Sequence, residues 1–528
     1  MKHAQKKAAP EALLKNVIVK GTVILTAAGV ISRVIGFFYR IFLTRLIGAE
    51  GMGLFQIITP VAGIVFAICS AGIQTAISKF CAEKKRGGSW LLAGLAVSLP
   101  VSCLISALIW FNSDYIAVRF IFNEACSPLL KIMAFTFPFS SFHNCVNGYY
   151  FGKKKSSVPA FSQLLEQLVR FAAVFIYARI AAANNEEVTV LCAIYSNFWG
   201  EIASTLYCSL MLAFSRRKAR ASAVPKHAQT QKYGYFHNQE KQDGARQFAQ
   251  KVVNIIKFSL PLTANRVLMH LFQSAEAILV PAQLIVYGFE KSDALSLYGI
   301  LTGMAYPLIL FPTAVTNALS VMLLPSVSAD HAERNDSHIR STMDKCLFFC
   351  LSMGIMSTLL FIFYGAPLGA ILFDQPEVHD FVLVLAWLCP FLYLASTLGS
   401  ILNGLGKTAS TCLQNIAAVG VRLVFLIALV PKFGISMYLA GLLISQIMVC
   451  LCHYIKLSRM LHLKMNAYGW LVLPSVYSAI STGCSLLLSE LLIKVPVLPD
   501  FWRLTICAAA ACAVYALLSV RPYRNKLR

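Results

Sequence analysis

Charged residues are scarce in this sequence. Only 13% of the 528 residues are charged, against about 25% in ordinary soluble domains. Hydrophobic residues make up 58%, and apolar stretches of roughly 20 residues recur along the chain, as membrane-spanning helices require. The weak alternation of a transmembrane β-barrel is missing. The sequence therefore predicts an all-α polytopic membrane protein with about 14 transmembrane helices.

Acidic residues are fewer still, with 23 Asp and Glu against 46 Lys and Arg. Most of the basic residues lie at the two termini and in one alternate set of loops, while acids such as Glu186, Asp293 and Asp374 lie in the other set. This asymmetry indicates a multi-pass protein of the cytoplasmic membrane with both termini in the cytoplasm. A nucleic-acid site would gather the positive charge on one face, so we expect no nucleic-acid partner.

The sequence also lacks the motifs of metal and cofactor sites. Cys450, Cys452 and His453 lie close together, but they have neither zinc-ligand spacing nor a second ligand pair. No glycine motif that could cradle a phosphate was found. We therefore predict no metal, no cofactor and no catalytic residue.

One long polar and basic loop interrupts the hydrophobic pattern. It divides the chain into an N-terminal six-helix lobe (1–214), a cytoplasmic basic linker (215–250), a C-terminal six-helix lobe (251–465) and two additional transmembrane helices (466–528). Short matches between the halves, such as SRV and NRV or NGYYFGKKKSS and NGLGKTAS, indicate an internal duplication. Because six helices return the chain to the same side, two pseudo-symmetric lobes are predicted, with a site between them.

Two arginines lie inside the first apolar stretch. Gly29, Arg33, Gly36 and Arg40 share one face of a helix, and an arginine at the bilayer centre costs about 2.5–3.5 kcal/mol. We therefore expect both arginines to face the protein interior, either as a binding site or in ion pairs that lock helices together. Arg45, near the helix end, is expected to snorkel toward the membrane surface.

The seventh helix repeats this pattern. Arg266, His270 and Gln273 are spaced i, i+4, i+7, and Glu276 lies on the adjoining strip. His270 is interpreted as either a packing residue or a proton carrier. Glu276 is either a partner for an arginine or a cation or proton site, and the sequence leaves both pairs of alternatives open.

Further polar residues are scattered through the predicted helices. Glu166 and Arg170 are spaced i, i+4 on the fifth helix and can pair there, while Asn144, Glu201 and Arg422 lie on three others. Arginines therefore outnumber acids within the membrane. Since arginine forks suit phosphate oxygens, this surplus favours an anionic, amphiphilic cargo over a cationic drug.

The segments KGTVILTAAGVISRVIGFFYRIFLTRLIGAEGMGLFQ (20–56), AGIQTAISKF (71–80), LPLTANRVLMHLFQSAEAILVP (260–281) and LPSVSADHAERN (324–335) resemble the stage V sporulation protein B family. Its members are polysaccharide-biosynthesis proteins of the multidrug/oligosaccharidyl-lipid/polysaccharide exporter superfamily. The chain is also similar to the more distant MurJ-type lipid II flippases, which share the S-R-V-x-G-F of 32–37.

The resemblance implies a flippase that moves an undecaprenyl-pyrophosphate-linked saccharide across the bacterial cell membrane by alternating access. Its pyrophosphate would meet Arg33 and the repeat-related Arg266. The first-helix acid of the MurJ-type pattern falls on Arg40, so that role does not transfer, and Gln74 stands where the sporulation family has proline. Expected partners are the lipid-linked saccharide, membrane lipids and cell-wall synthesis proteins, and the protein is expected to act as a monomer.

These arguments assign two sets of residues. The predicted substrate-binding residues are Arg33, Arg40, Arg266, His270, Gln273 and Asn144. The predicted coupling or ion-pair residues are Glu276, Glu166, Arg170, Glu201 and Arg422. The alternatives are a drug or cation exporter of the same fold, a polytopic glycosyltransferase or ligase acting on lipid-linked saccharides, and a scaffold for a wall-synthesis complex.

Overall fold

The computed structural model describes residues 2–83, 88–221, 236–462, 466, 468–494 and 499–527. Throughout these ranges the regular secondary structure is helical, which confirms the predicted all-α class. Part of the predicted linker, residues 222–235, lies outside the described residues. The rest of the linker continues the helices on either side of it.

The helices of the first part of the chain are α1 (Lys2–Phe66), α2 (Gly72–Glu83), α3 (Gly88–Arg119), α4 (Cys126–Ala134), α5 (Thr136–Gly152), α6 (Ser157–Asn184), α7 (Leu191–Ala221) and α8 (Phe236–Tyr287). Those that follow are α9 (Lys291–Gly299), α10 (Tyr306–Leu310), α11 (Thr313–Ala332), α12 (Asp336–Phe373), α13 (Val378–Leu385), α14 (Cys389–Gly404), α15 (Thr408–Val424), α16 (Val430–Phe433), α17 (Ile435–Leu461), α18 (Leu473–Ile493) and α19 (Asp500–Leu527). Short π-helical segments continue several of them, at Ala67–Ala71, Ile300–Ala305, Phe425–Leu429 and Tyr468–Val472.

Ten helical segments of the described chain are long and apolar enough to cross a membrane. The chain is therefore a multi-pass membrane protein, as the hydrophobic pattern predicted. The count of fourteen transmembrane helices stays a prediction.

A single residue breaks the longest hydrophobic helix. Gly48 in α1 has φ 70° and ψ −176°, a conformation that is open almost only to glycine. The chain changes direction there without leaving the helical pattern on either side.

The first compact unit comprises Met1–Tyr39 and Leu54–Ile278. Its core is built from buried side chains of α2, α3 and α5, with Ile77, Trp90 and Tyr150 among them. Polar contacts reinforce it, since the Ser98 hydroxyl donates to the Cys69 carbonyl at 2.6 Å. In membrane proteins, small residues and hydroxyl contacts of this kind hold helices together.

The second compact unit comprises Arg40–Gly53 and Leu279–Arg528. Its core joins α11, α12, α14 and α17, with Met343, Leu398 and Leu457 almost fully buried. The two units therefore divide the chain inside α1 and α8, whereas the predicted lobes divided it at the linker.

A short stretch of α1 packs closely against α9 within the second unit. A Cβ atom added to Gly53 would lie 2.2 Å from the Leu295 carbonyl oxygen, and one added to Gly299 would lie 2.0 Å from that of Ala49. The two backbones approach so closely because small residues face each other. We call this contact the α1–α9 seam, formed by Ala49, Gly53, Leu295 and Gly299.

Arg45 contacts the end of another helix. Its Nε donates to the Leu372 carbonyl at 2.8 Å, and its Nη2 donates to the Ile371 carbonyl. These carbonyls belong to the last turn of α12, where helical carbonyls lack partners and attract positive charge. The end of α12 binds Arg45 because the two lie side by side in the second unit.

Candidate functional site

Arg33 lies on an exposed face of α1 that is distinct from its apolar exposed face. Ser32 and Tyr39 are buried, while Ile31 and Phe38 are exposed. An α-helix turns about 100° per residue. Measured around the helix axis from Ser32, Arg33 therefore lies about 100° to one side and Ile31 about 100° to the other. Arg33 is exposed and makes no hydrogen bond or ion pair with the residues that the structure describes.

The structure does not group Arg40 with Arg33. Although both residues lie on one side of α1, Arg33 belongs to the first unit and Arg40 to the second. The Arg40 Nη1 donates to the Thr302 carbonyl at 3.2 Å, in the π-helical segment that follows α9. Arg422 is half-buried on α15, also in the second unit.

The predicted residues of α8 fall in the first unit. Arg266 is exposed and has no hydrogen bond or ion pair within the described part of the chain. The His270 Nδ1 lies 3.1 Å from the Gln273 Oε1, and a Cβ atom on Gly63 would lie 2.6 Å from that nitrogen. His270 is thus packed against α1, while Glu276 is buried.

A buried ion-pair cluster joins α6 and α7. The Arg170 Nη2 lies 2.5 Å from the Glu166 Oε1 on the same helix and 3.5 Å from the Glu201 Oε1 on α7. Gly200 makes room for the arginine, since a Cβ atom there would lie 2.8 Å from the Arg170 Cγ. One guanidinium group therefore serves two carboxylates.

The cluster also contains His143, which sequence reasoning missed. Its Nδ1 lies 3.3 Å from the Glu201 Oε2, and its Nε2 lies 3.1 Å from the Asn144 Nδ2. The same Asn144 amide donates to the Ser140 carbonyl at 2.8 Å. Asn144, which was predicted to bind substrate, therefore contacts this cluster. The available signal was that His143 adjoins the polar face of Ser140 and Asn144.

We call the side chains of His143, Glu166, Arg170 and Glu201 the α5–α7 cluster. All four belong to the first unit, as do Arg33 and Arg266. The unit thus contains two kinds of charged site: exposed guanidinium groups without a protein partner in the described chain, and a buried network in which the charges contact one another.

The comparison with protein families identifies the chain. The sequence profile of the family described as "Polysaccharide biosynthesis protein" matches residues 18–329, more than half of the chain. The chain belongs to the polysaccharide biosynthesis protein family. This membership confirms the resemblance that the motifs of the first and seventh helices indicated.

Similar proteins agree with this assignment to the polysaccharide biosynthesis family. Stage V sporulation protein B of Bacillus subtilis (strain 168) is 27% identical over 463 residues, which cover 86% of each chain. The structure titled "Lipid II flippase MurJ, inward closed conformation" matches with a TM-score of 0.67 at 16% identity, over 96% of this chain and 100% of that one. An inward-facing multidrug resistance MATE transporter of the MOP superfamily matches with a TM-score of 0.59 at 13% identity, over 84% and 98%. The structural matches establish the shared fold.

Proposed function

We propose that this member of the polysaccharide biosynthesis family is a flippase. It would move an undecaprenyl-pyrophosphate-linked saccharide, lipid II or a related polysaccharide precursor, from the inner to the outer leaflet of the bacterial cell membrane by alternating access. The observation that carries the proposal is the exposure of Arg33 and Arg266 with no hydrogen bond or ion pair in the described chain.

Unpaired arginines within membrane-spanning helices are costly. Each one costs about 2.5–3.5 kcal/mol at the bilayer centre, so such residues mark binding sites or pathways by default. A guanidinium group presents several donors in a plane that fits two phosphate oxygens at once. A pyrophosphate would satisfy donors that the described protein leaves free.

The names of similar proteins point in the same direction. One relative is a stage V sporulation protein, and a matching structure is titled a lipid II flippase. The proposal extends the role of the flippase to this chain, with no catalytic residue, metal or cofactor. The loop charges favour cytoplasmic termini, and the expected partners remain the lipid-linked saccharide, membrane lipids and cell-wall synthesis proteins around a monomer.

We propose the following residue roles. Arg33 and Arg266 would hold the pyrophosphate, and Gln273 and His270, on the same helix as Arg266, would line the saccharide path. Arg40 stays a proposed substrate residue, although its guanidinium group already donates to the Thr302 carbonyl. Its contribution would therefore be smaller than that of Arg33.

A drug or cation exporter is the second candidate, because a MATE transporter shares the fold. The two functions differ in the charge of the cargo. Export of a cation does not need an exposed guanidinium group, whereas binding of a pyrophosphate does.

The deciding experiment compares variants in proteoliposomes that contain a fluorescent undecaprenyl-pyrophosphate-linked saccharide. Loss of a charge-assisted hydrogen bond worth about 1.5–3 kcal/mol should slow flipping by Arg33→Ala about 10- to 100-fold. Arg246→Ala is the matched control, because Arg246 is exposed on α8 and has no proposed role. Flipping by Arg33→Ala at the wild-type rate, together with uptake of a cationic dye, would instead establish the exporter.

A further inference from the structure

The α5–α7 cluster is buried although all four of its groups can carry charge. The side chain of His143 is 5% exposed and that of Glu201 13%, while those of Arg170 and Glu166 are 22% and 16% exposed. Groups that are this deeply buried within a membrane protein must balance their charges. The contacts of the four groups indicate how their charges balance.

The hydrogen bonds set the charge of His143. The Asn144 Nδ2 already donates to the Ser140 carbonyl, which fixes the orientation of the amide. Its second hydrogen is directed to the His143 Nε2 at 3.1 Å, which is closer than the Ser140 hydroxyl at 3.4 Å, so we assign this ring nitrogen as an acceptor without a proton. The imidazole is therefore neutral, with its hydrogen on Nδ1 facing Glu201.

With a neutral imidazole, the cluster carries one negative charge too many. Arg170 supplies one positive charge, and Glu166 and Glu201 supply two negative charges when both are ionised. Two carboxylates that share one buried site resist simultaneous ionisation. The structure therefore calls for one more positive charge at this place.

Within the described residues, no ion pair from a neighbouring helix supplies that charge. From α1 the cluster is approached by Tyr39, whose hydroxyl bonds the Ser196 hydroxyl at 2.8 Å. On α4, Lys131 pairs with Asp114 of α3 at 3.1 Å, and on α2 the Lys79 Nζ lies 4.2 Å from the centre of the Phe258 ring. In the described part of the chain, the four cluster groups form ion pairs only with one another.

The polar atoms around Glu201 do not suit a metal ion. The Glu201 Oε2 and the His143 Nδ1 are both buried and make no hydrogen bond within the described chain, although they are 3.3 Å apart. The neighbours of this carboxylate, Arg170 and His143, both present N–H donors to it. A hard metal cation needs a shell of oxygen ligands and would be repelled by these donors.

We propose that Glu201 is a proton-binding site. Its carboxylate takes up one proton from hydronium, which leaves a water molecule, and the resulting neutral carboxyl makes the cluster neutral while Arg170 pairs with Glu166. Release of the proton restores the shared ion pair. Proton binding by the cluster does not depend on the proposed flippase function. Coupling of this proton to transport does rest on that function.

Infrared difference spectroscopy of the full-length protein in detergent tests the proton site directly. In the wild type and in the control Glu290→Gln, which alters an exposed loop carboxylate, we expect the C=O band of a buried protonated carboxyl to disappear as the pH is raised. Glu201→Gln should lack this band. Glu166→Gln, which removes the excess negative charge but keeps Glu201, should lose it as well.

Two results would overturn the proton site. One is a titrating carboxyl band in Glu201→Gln that equals the wild-type band. The other is a band in Glu166→Gln that is as strong as in the wild type, because Glu201 should then be ionised beside Arg170. Since the two variants differ in which carboxylate they remove, misfolding of one leaves the other decisive.

Transport assays test the coupling separately. In proteoliposomes, an imposed pH gradient should change the wild-type flipping rate, and the ratio of rates with and without the gradient should fall to one in Glu201→Gln. An equal gradient response in both proteins refutes coupling. If no variant moves the lipid while the infrared band behaves as expected, the flippase proposal fails and the proton site stands.

Discussion

The α1–α9 seam allows a stringent test of the packing in the second unit. We consider Gly299→Ala, because the added methyl group would lie 2.0 Å from the Ala49 carbonyl oxygen and 2.7 Å from the Gly53 nitrogen. These are backbone atoms, so no side chain can rotate away. An ordinary contact between carbon and a carbonyl oxygen is about 3.3–3.6 Å, so α1 and α9 would have to separate by more than about 1 Å.

The expected cost follows from two opposing terms. Overpacking of a tight interior costs about 1–3 kcal/mol, while replacing glycine by alanine within a helix gains about 1 kcal/mol. Gly483→Ala is the matched control, because Gly483 lies inside α18 and an added Cβ atom would meet nothing within 4 Å. The control contains only the favourable term. The free energies of unfolding of the two variants should therefore differ by about 1–3 kcal/mol.

Unfolding in mixed micelles of detergent and SDS, followed by tryptophan fluorescence, measures this difference. Gly299→Ala should unfold at a lower SDS fraction than Gly483→Ala. Equal midpoints for the two variants would refute the close backbone approach of α1 and α9. A midpoint for Gly483→Ala below that of the wild type would refute the propensity argument instead.

Two further predictions use the same unfolding assay. Gly48→Ala should destabilise the protein by about 1–3 kcal/mol because alanine is strained at φ 70°. Its control is Gly29→Ala, which lies in open space on the same helix and should be neutral or stabilising. Equal effects of the two substitutions would contradict the kink at Gly48. Arg170→Leu should cost about 3 kcal/mol because it removes the guanidinium group that Glu166 and Glu201 share. Its control, Arg179→Leu, removes an exposed arginine of the same helix, and a comparable loss there would argue against the buried network.

The helices could be predicted because the membrane imposes a simple pattern. Apolar runs of roughly 20 residues have few alternatives to a spanning helix. The division into units could not be predicted in the same way. It depends on which helices the stretch from Arg40 to Gly53 contacts, and those partners follow more than two hundred residues later, as the separation of 242 between Glu50 and Ser292 illustrates.

The charged residues show the same limit. The spacing of Glu166 and Arg170 predicts their contact because both lie on one helix. Glu201 and His143 join them only through packing of separate helices, which no spacing reveals. Arg33 and Arg40 share a helix face, but the compact unit to which α1 belongs changes between them. Arg40 therefore interacts with Thr302, while Arg33 is exposed.

The α1–α9 seam has a consequence for how the chain is made. The stretch from Arg40 to Gly53 leaves the ribosome early, but its partners, including Thr302 and Leu372, are 262 and 327 residues away from the arginines that contact them. Folding in order of synthesis cannot therefore finish α1 before the second half emerges. An N-terminal fragment ending at the linker would insert with its glycine surface bare, which makes such fragments poor substitutes for the whole protein.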